Sequence, residues 1–152
     1  GVTFAPEDAP DLNFQPLFKD RFVAILPAKH PLLAKKQLTW VDVLAYPHLS
    51  LQRPAGTRRL IDQALQEKGL LLTPAFESHQ LVSIGRMVSE GLGLSVVPST
   101  SRAQMEEMGL ECRAIGAPVI THSVGIVTRP QHTLSAAAQA MEQLIRAAVS
   151  KP

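Results

Sequence analysis

An α/β fold is predicted by three observations. Short apolar runs alternate with segments of helical period along the whole chain. Thr73 to Val97 reads as strand, helix, strand, a crossover that makes parallel strands. Phe22 to Leu26 is an apolar run without alternation, as expected of a strand buried on both faces in the middle of a parallel-type sheet.

The central unit carries most of the signal. Leu81, Ile84 and Val88 recur at i, i+3, i+7 with Met87 beside them, one apolar helix face. Ser78 is placed to cap its first turn. Gly91 follows the last periodic residue, where a left-handed stop needs no Cβ. Leu94 to Val97 is a short strand that Pro98 ends.

The remaining elements follow in order. Gly1 to Phe4 is a strand stub, Ala5 to Asn13 a surface loop, and Phe14 to Phe18 a short edge strand interrupted by Pro16. Thr39-x-x-Asp42 has capping-box spacing and opens a short helix over Trp40 to Leu44. His48 to Leu51 is a strand. Thr57 caps a second helix with Leu60, Ile61, Ala64 and Leu65 on one face and Gly69 at its end. Leu70 to Glu77 returns as a strand. Ser99 or Thr100 caps a helix to about Met108, and Leu110 to Ile115 and Ser123 to Thr128 are strands. Pro130 to Thr133 turns the chain. Ser135 then caps a long helix to about Ser150, with Ala137, Met141, Leu144, Ile145 and Ala148 as its apolar face. The first strand has no neighbour nearby, and the last strand and helix stand beyond the Gly116–Thr121 crossing segment. That layout predicts two lobes joined by crossings near Leu17 to Phe22 and Gly116 to His122.

Composition narrows the function. The 152 residues suffice for one domain or two small lobes. Charged residues are 18%, against about 25% in typical domains. Net charge is +2, and the basic residues come as scattered pairs, Lys35-Lys36 and Arg58-Arg59, without a stripe for nucleic acid. Cys112 is the single cysteine, which excludes an internal disulfide framework and suits a reducing cytoplasm. No apolar run approaches the ~18 residues of a membrane helix. Gly1 to Phe4 has no charged leader and reads as though cut mid-strand.

No catalytic set stands out. Gly91-Leu92-Gly93 follows a helix and precedes a strand, the reverse of a dinucleotide fingerprint. No serine has the Gly-x-Ser-x-Gly context, Cys112 lies within an expected strand, and the five histidines have no metal-ligand spacing. No catalytic residue, metal or cofactor is therefore expected. A binding site remains. Thr57 follows the Arg53-Pro54-Ala55-Gly56 turn at a helix start, where N–H groups and the dipole favour an anion; plain capping is the alternative. Arg58 and Arg59 add positive charge there. Ser78 and His79 open a second helix at the carboxyl end of a strand, where ligands sit in open α/β sheets; a packed or solvated histidine is the alternative.

These residues carry a resemblance. Leu17 to Pro27 followed by His30-Pro31-Leu32, then Leu38 through Pro47, then Gly56 to Asp62, and above all Val88 to Pro98, stand in the order and spacing of the LysR-type transcriptional regulators. The chain resembles their carboxyl-terminal effector-binding domain, with a two-lobed, periplasmic-binding-protein-like (type 2) fold. The resemblance implies lobe II over 22–116 and an incomplete lobe I over 1–21 and 117–152. The family's winged helix-turn-helix, linker helix and first half of lobe I have no counterpart here. It implies a cytoplasmic, non-catalytic sensor whose small-molecule effector, often a carboxylate, lies between the lobes. Phe4 and Ala5 would line that cleft from lobe I, and Gly56, Thr57, Ser78 and His79 from lobe II. It also implies a homo-oligomer, dimer or tetramer, with the Gln80–Glu90 helix a candidate interface, and contact with DNA only through the missing domain. A fragment of a solute-binding protein, or a small α/β enzyme, would share the fold.

Overall fold

A computed structural model describes residues 1–6, 10–53, 55–130 and 134–149. Parts of the expected loop (Glu7 to Ala9), Pro54 of the expected turn, positions 131–133 of the last turn, His132 among them, and Ser150 lie outside them. The chain divides into two compact units: Gly1–Asp20 with Thr121–Pro152, and Arg21–Ile120.

The second unit is built on a sheet. Strand β1 (Val2–Phe4) precedes it. Strand β2 (Asn13–Pro27) runs without a break through the positions expected as two strands, and its second half enters this unit. Helix α1 (Trp40–Leu44), strand β3 (His48–Leu51), helix α2 (Gly56–Gln66), strand β4 (Phe76–Ser78), helix α3 (Leu81–Ser89), strand β5 (Leu94–Pro98), helix α4 (Arg102–Glu107) and strand β6 (Leu110–Ala114) follow. Strand β3 pairs in parallel with both β4 and β5. The two ends of the β4–α3–β5 crossover are therefore parallel, as expected, but β3 lies between them.

The expectation for Phe22 to Leu26 is half met. These residues are buried on both faces, but β2 pairs antiparallel with β5 on one side and β6 on the other. Alternation along an extended strand sends successive side chains to opposite faces. Phe22, Ala24 and Leu26 join one core cluster with Trp40, Ile61 and Leu65, while Val23 and Ile25 join the other with Ile84, Val88 and Met105. Helices α1 and α2 thus cover one face and α3 and α4 the other. A double cover makes the strand continuously apolar whatever the direction of its neighbours.

Local chemistry sets the helix ends. Thr39 and Asp42 form the expected capping box: Asp42 N–H donates to Thr39 Oγ1 at 3.2 Å and Thr39 N–H to Asp42 Oδ2 at 3.0 Å. Helix α3 ends in a Schellman motif, with Leu92 N–H donating to Met87 O at 3.1 Å and Gly91 N–H to Val88 O at 2.9 Å. Gly91 there has φ +76°, which an L side chain resists. Only Phe76 to Ser78 of the expected Leu70–Glu77 strand pairs; the residues before it are irregular, with Leu72 buried.

In the first unit, strand β7 (Thr121–Thr128) lies between β1 and the first half of β2. Strand β1 pairs antiparallel with it, Phe4 opposite Val124. Pro16 stands in β2 at the edge of this three-strand set, where a missing N–H costs least. Helix α5 (Ala136–Val149) begins after Ser135, whose Oγ accepts from Ala138 N–H at 3.3 Å. Its inward face is turned from the expected one. Ala138, Met141, Glu142 and Ile145 line a cavity of about 180 Å³ with Val2 and Ile126, while Leu144 is 65% exposed.

Candidate functional site

The register Leu51↔Ser78 makes the parallel strands β3 and β4 leave the sheet at the same edge. The turn before α2 and the Ser78-His79 turn therefore stand side by side. Gln52 N–H donates to Ser78 O at 3.1 Å and ties them together. The third parallel strand, β5, ends at the same edge, so Ser99 and Thr100 stand there too. Of the sequence-predicted residues, Gly56, Thr57, Ser78 and His79 are thus gathered at one edge of the second unit. Phe4 and Ala5 belong to the first.

Two capping expectations change. The N-cap of α2 is Ala55, which offers no side-chain acceptor; Thr57 is the second residue of the helix. Its N–H and that of Gly56 have no acceptor inside the helix, because Arg58 N–H and Arg59 N–H already use Ala55 O at 3.1 and 3.3 Å. The Thr57 side chain is buried at 8% exposure, and its Oγ1 makes no hydrogen bond. A buried hydroxyl without a partner is uncommon and costly, so this one calls for an explanation. The N-cap of α3 is Gln80, while Ser78 Oγ accepts from Gln80 N–H at 3.2 Å and shapes the turn before the helix. His79 is exposed.

Arg58 is the residue whose role the sequence concealed. At 1% side-chain exposure it does not face the helix start; its guanidinium lies under the rim. Nε donates to Asp62 Oδ1 at 2.8 Å and Nη1 to Glu77 Oε1 at 2.8 Å. Further contacts reach Ser50 Oγ at 3.3 Å and Leu51 O at 3.4 Å. One side chain thus joins α2, β3 and β4 behind Thr57 and Ser78. The Arg58/Asp62 spacing of i, i+4 was the available signal, but Glu77 is brought in only by the β3–β4 register.

Burial, with the Arg58 charge as a second cause, lowers the His48 pKa to about 4. His48 is therefore neutral when folded and titrates near 6.5 when unfolded. Its folded pKa is depressed, so the unfolded chain binds more protons between those values, and stability is lost as pH falls through that window. Lowering the pH from 7 to 5 is expected to cost about 2 kcal/mol in urea unfolding. His48→Leu should flatten that dependence, and an unchanged slope in the variant would assign it to other groups.

In the first unit, the Phe4 ring stands edge-on to His122, with centroids 4.4 Å apart and planes at 87°. His122 Nε2 lies 3.8 Å from Asp20 Oδ2, and both side chains are buried. Burial lowers the His122 pKa, and Asp20 opposes that shift. Ala5 N–H donates to Ser123 O at 2.9 Å, continuing the pairing of β1 with β7. His122 and Asp20 escaped the sequence reading because nothing in their spacing joins positions so far apart.

Cys112 is buried, and burial pushes its thiol pKa up, the reverse of what an activated nucleophile needs. Among the described residues, no group of three histidine, cysteine or acidic side chains could hold a metal, and no helix is long and apolar enough to cross a membrane.

Comparison with known proteins agrees with this geometry. The family model for the LysR substrate binding domain matches residues 1–150. The transcriptional activator protein LysR of Escherichia coli K12 is 34% identical over 115 residues, which cover 76% of this chain and 36% of that protein. The uncharacterised regulator YbhD of the same organism is 29% identical over 128 residues, 84% of this chain and 40% of that protein. The chain thus spans less than half the length of these relatives. Among solved structures, the effector-binding domain of QuiR in complex with shikimate superposes with a TM-score of 0.85 at 21% identity, covering 99% of this chain and 71% of that one. The regulatory domain of CcmR from Synechocystis PCC6803, in complex with 2-PG, superposes with a TM-score of 0.85 at 19% identity, covering 99% and 73%. These neighbours have the two-lobed, periplasmic-binding-protein-like fold, and the chain belongs to the family of LysR-type effector-binding (substrate-binding) domains.

Proposed function

We propose that this domain senses a small anion of the carboxylate class and that Thr57 is its principal contact in the second unit. The observation that carries the reading is the buried Thr57 Oγ1 without a hydrogen bond, set among the first N–H groups of an 11-residue helix. Those donors and the helix dipole favour negative charge, and the hydroxyl supplies one more directed donor. Ser78 and His79 stand on the adjacent strand end and would add polar contacts. Phe4 and Ala5, taken over from the family resemblance, would contribute from the first unit. The units themselves are read as lobe I and lobe II of the family fold.

On this reading the domain is non-catalytic and cytoplasmic. An effector changes the grip of an attached DNA-binding domain only as far as it binds two states with different affinity. A homo-oligomer, dimer or tetramer, would relay that difference. The outward face of α3, with exposed Val82 and Arg86, is the candidate contact. Sedimentation equilibrium of the full-length regulator tests this part, and a monomer at all concentrations removes it.

The anion site is tested by calorimetry with a panel of small carboxylates that includes shikimate. Thr57→Val keeps the shape and removes the hydroxyl, so affinity for a bound carboxylate should fall about tenfold. A ligand bound equally well by both proteins would remove Thr57 from the site.

A further inference from the structure

A second cavity lies on the other side of α2, away from the strand-end rim. It has a volume of about 440 Å³ and is lined by Arg53, Arg59, Asp62, Gln66, Leu71 and Leu72. Such a volume is within the range of small-molecule sites. Arg59, Asp62 and Gln66 are spaced i, i+3, i+7, one stripe of the helix, while Ile61 and Leu65 face the core. The far wall is the irregular segment after the helix. Leu72 is buried there, but Leu71 is 76% exposed, an apolar side chain turned outward beside two guanidinium groups.

The charges in this groove are unequal. Asp62 is held by Arg58 at 2.8 Å, so its charge is already met from behind. Arg53 reaches Asp62 only at 4.0 Å and is 77% exposed. Arg53 and Arg59 therefore leave the groove with an excess of positive charge. A guanidinium fork matches a carboxylate, and arginine stems with Leu71 and Leu72 supply apolar area next to it. A dianion would press a second charge toward Asp62, which favours a monoanion.

We infer that this groove is a second ligand site that takes a small amphipathic monocarboxylate, its head between Arg53 and Arg59 and its apolar body on Leu71 and Leu72. The site is separate from the Thr57 rim and does not depend on the function proposed for it.

The experiment is a titration of the full-length protein, with labelled leucine methyl groups, against sodium hexanoate followed by NMR. The Leu71 and Leu72 methyl signals should shift and saturate. Methyl hexanoate, which lacks the charge, should give no saturable shift over the same range. Arg53→Gln and Leu71→Ser alter exposed positions on which the fold does not rest, and each should weaken binding about fivefold. Thr57→Val should leave this titration unchanged, so failure of the groove and failure of the rim are read separately. Absence of a saturable shift at Leu71 and Leu72, equal binding of the ester, or full affinity in both variants would each overturn the assignment.

Discussion

Replacing Arg58 by alanine is expected to lower the stability of the second unit by about 4 kcal/mol, read as a shift of the urea midpoint. The reason is the number of elements that meet on this side chain. Its guanidinium is buried and binds Asp62 of α2, Glu77 of β4 and, at longer range, Ser50 and Leu51 of β3. Asp62 and Glu77 keep 30% and 38% side-chain exposure, so water can reach them after the change. Most of the loss then comes from the emptied volume and from the unmet Ser50 and Leu51 oxygens. Arg58→Lys should recover little, because one ammonium cannot span two carboxylates and the β3 oxygens at once. The consequence for function is indirect. Strand β4 carries Ser78, so loosening Glu77 should weaken carboxylate binding even where the protein remains folded. A midpoint equal to that of the parent would show that the network contributes nothing net.

Gly93→Ala is expected to cost about 4 kcal/mol as well, combining backbone strain with overpacking. Gly93 has φ +155°, and a Cβ there would press into the Pro47 carbonyl oxygen. That same oxygen accepts from Leu94 N–H at 3.0 Å, beside the His48↔Leu94 pair that starts the parallel ladder of β3 and β5. The close approach of Pro47 is what the missing side chain permits. Gly91→Ala is the matched control. Its φ of +76° also disfavours an L residue, but a Cβ there meets nothing within 4 Å, so about 1 kcal/mol is expected. Equal losses in the two variants would show that the approach to Pro47 is relaxed elsewhere in the chain.

The Gly91-Leu92-Gly93 sequence shows how much was legible beforehand. Its helix stop was read from the end of the apolar period. The second glycine could not be read, because its reason is a residue 46 positions earlier, brought near by β3–β5 pairing. The same boundary runs through the candidate site. Thr57 and Ser78 were picked out as hydroxyls at helix starts, which is local information. That Ala55 occupies the cap position, leaving the Thr57 hydroxyl buried without a bond, depends on where α2 docks on the sheet.

By itself the sequence determined the α/β class, the helices α1 to α5 within a few residues, the capping box at Thr39 and Asp42, and the family motifs. Each of these follows from period, cap chemistry or glycine freedom over a few neighbouring residues, so a linear reading suffices. Only the tertiary structure decided that β2 runs unbroken past Pro16 and Lys19 into the buried core. It alone showed that β2 is antiparallel to both its neighbours there, because burial on two faces looks the same in either direction. It alone turned Arg58 inward to join three elements and left Arg53, Arg59 and Leu71 around an open groove on the other side of the same helix. Those outcomes rest on strand register and helix docking, which bring together residues far apart in the chain.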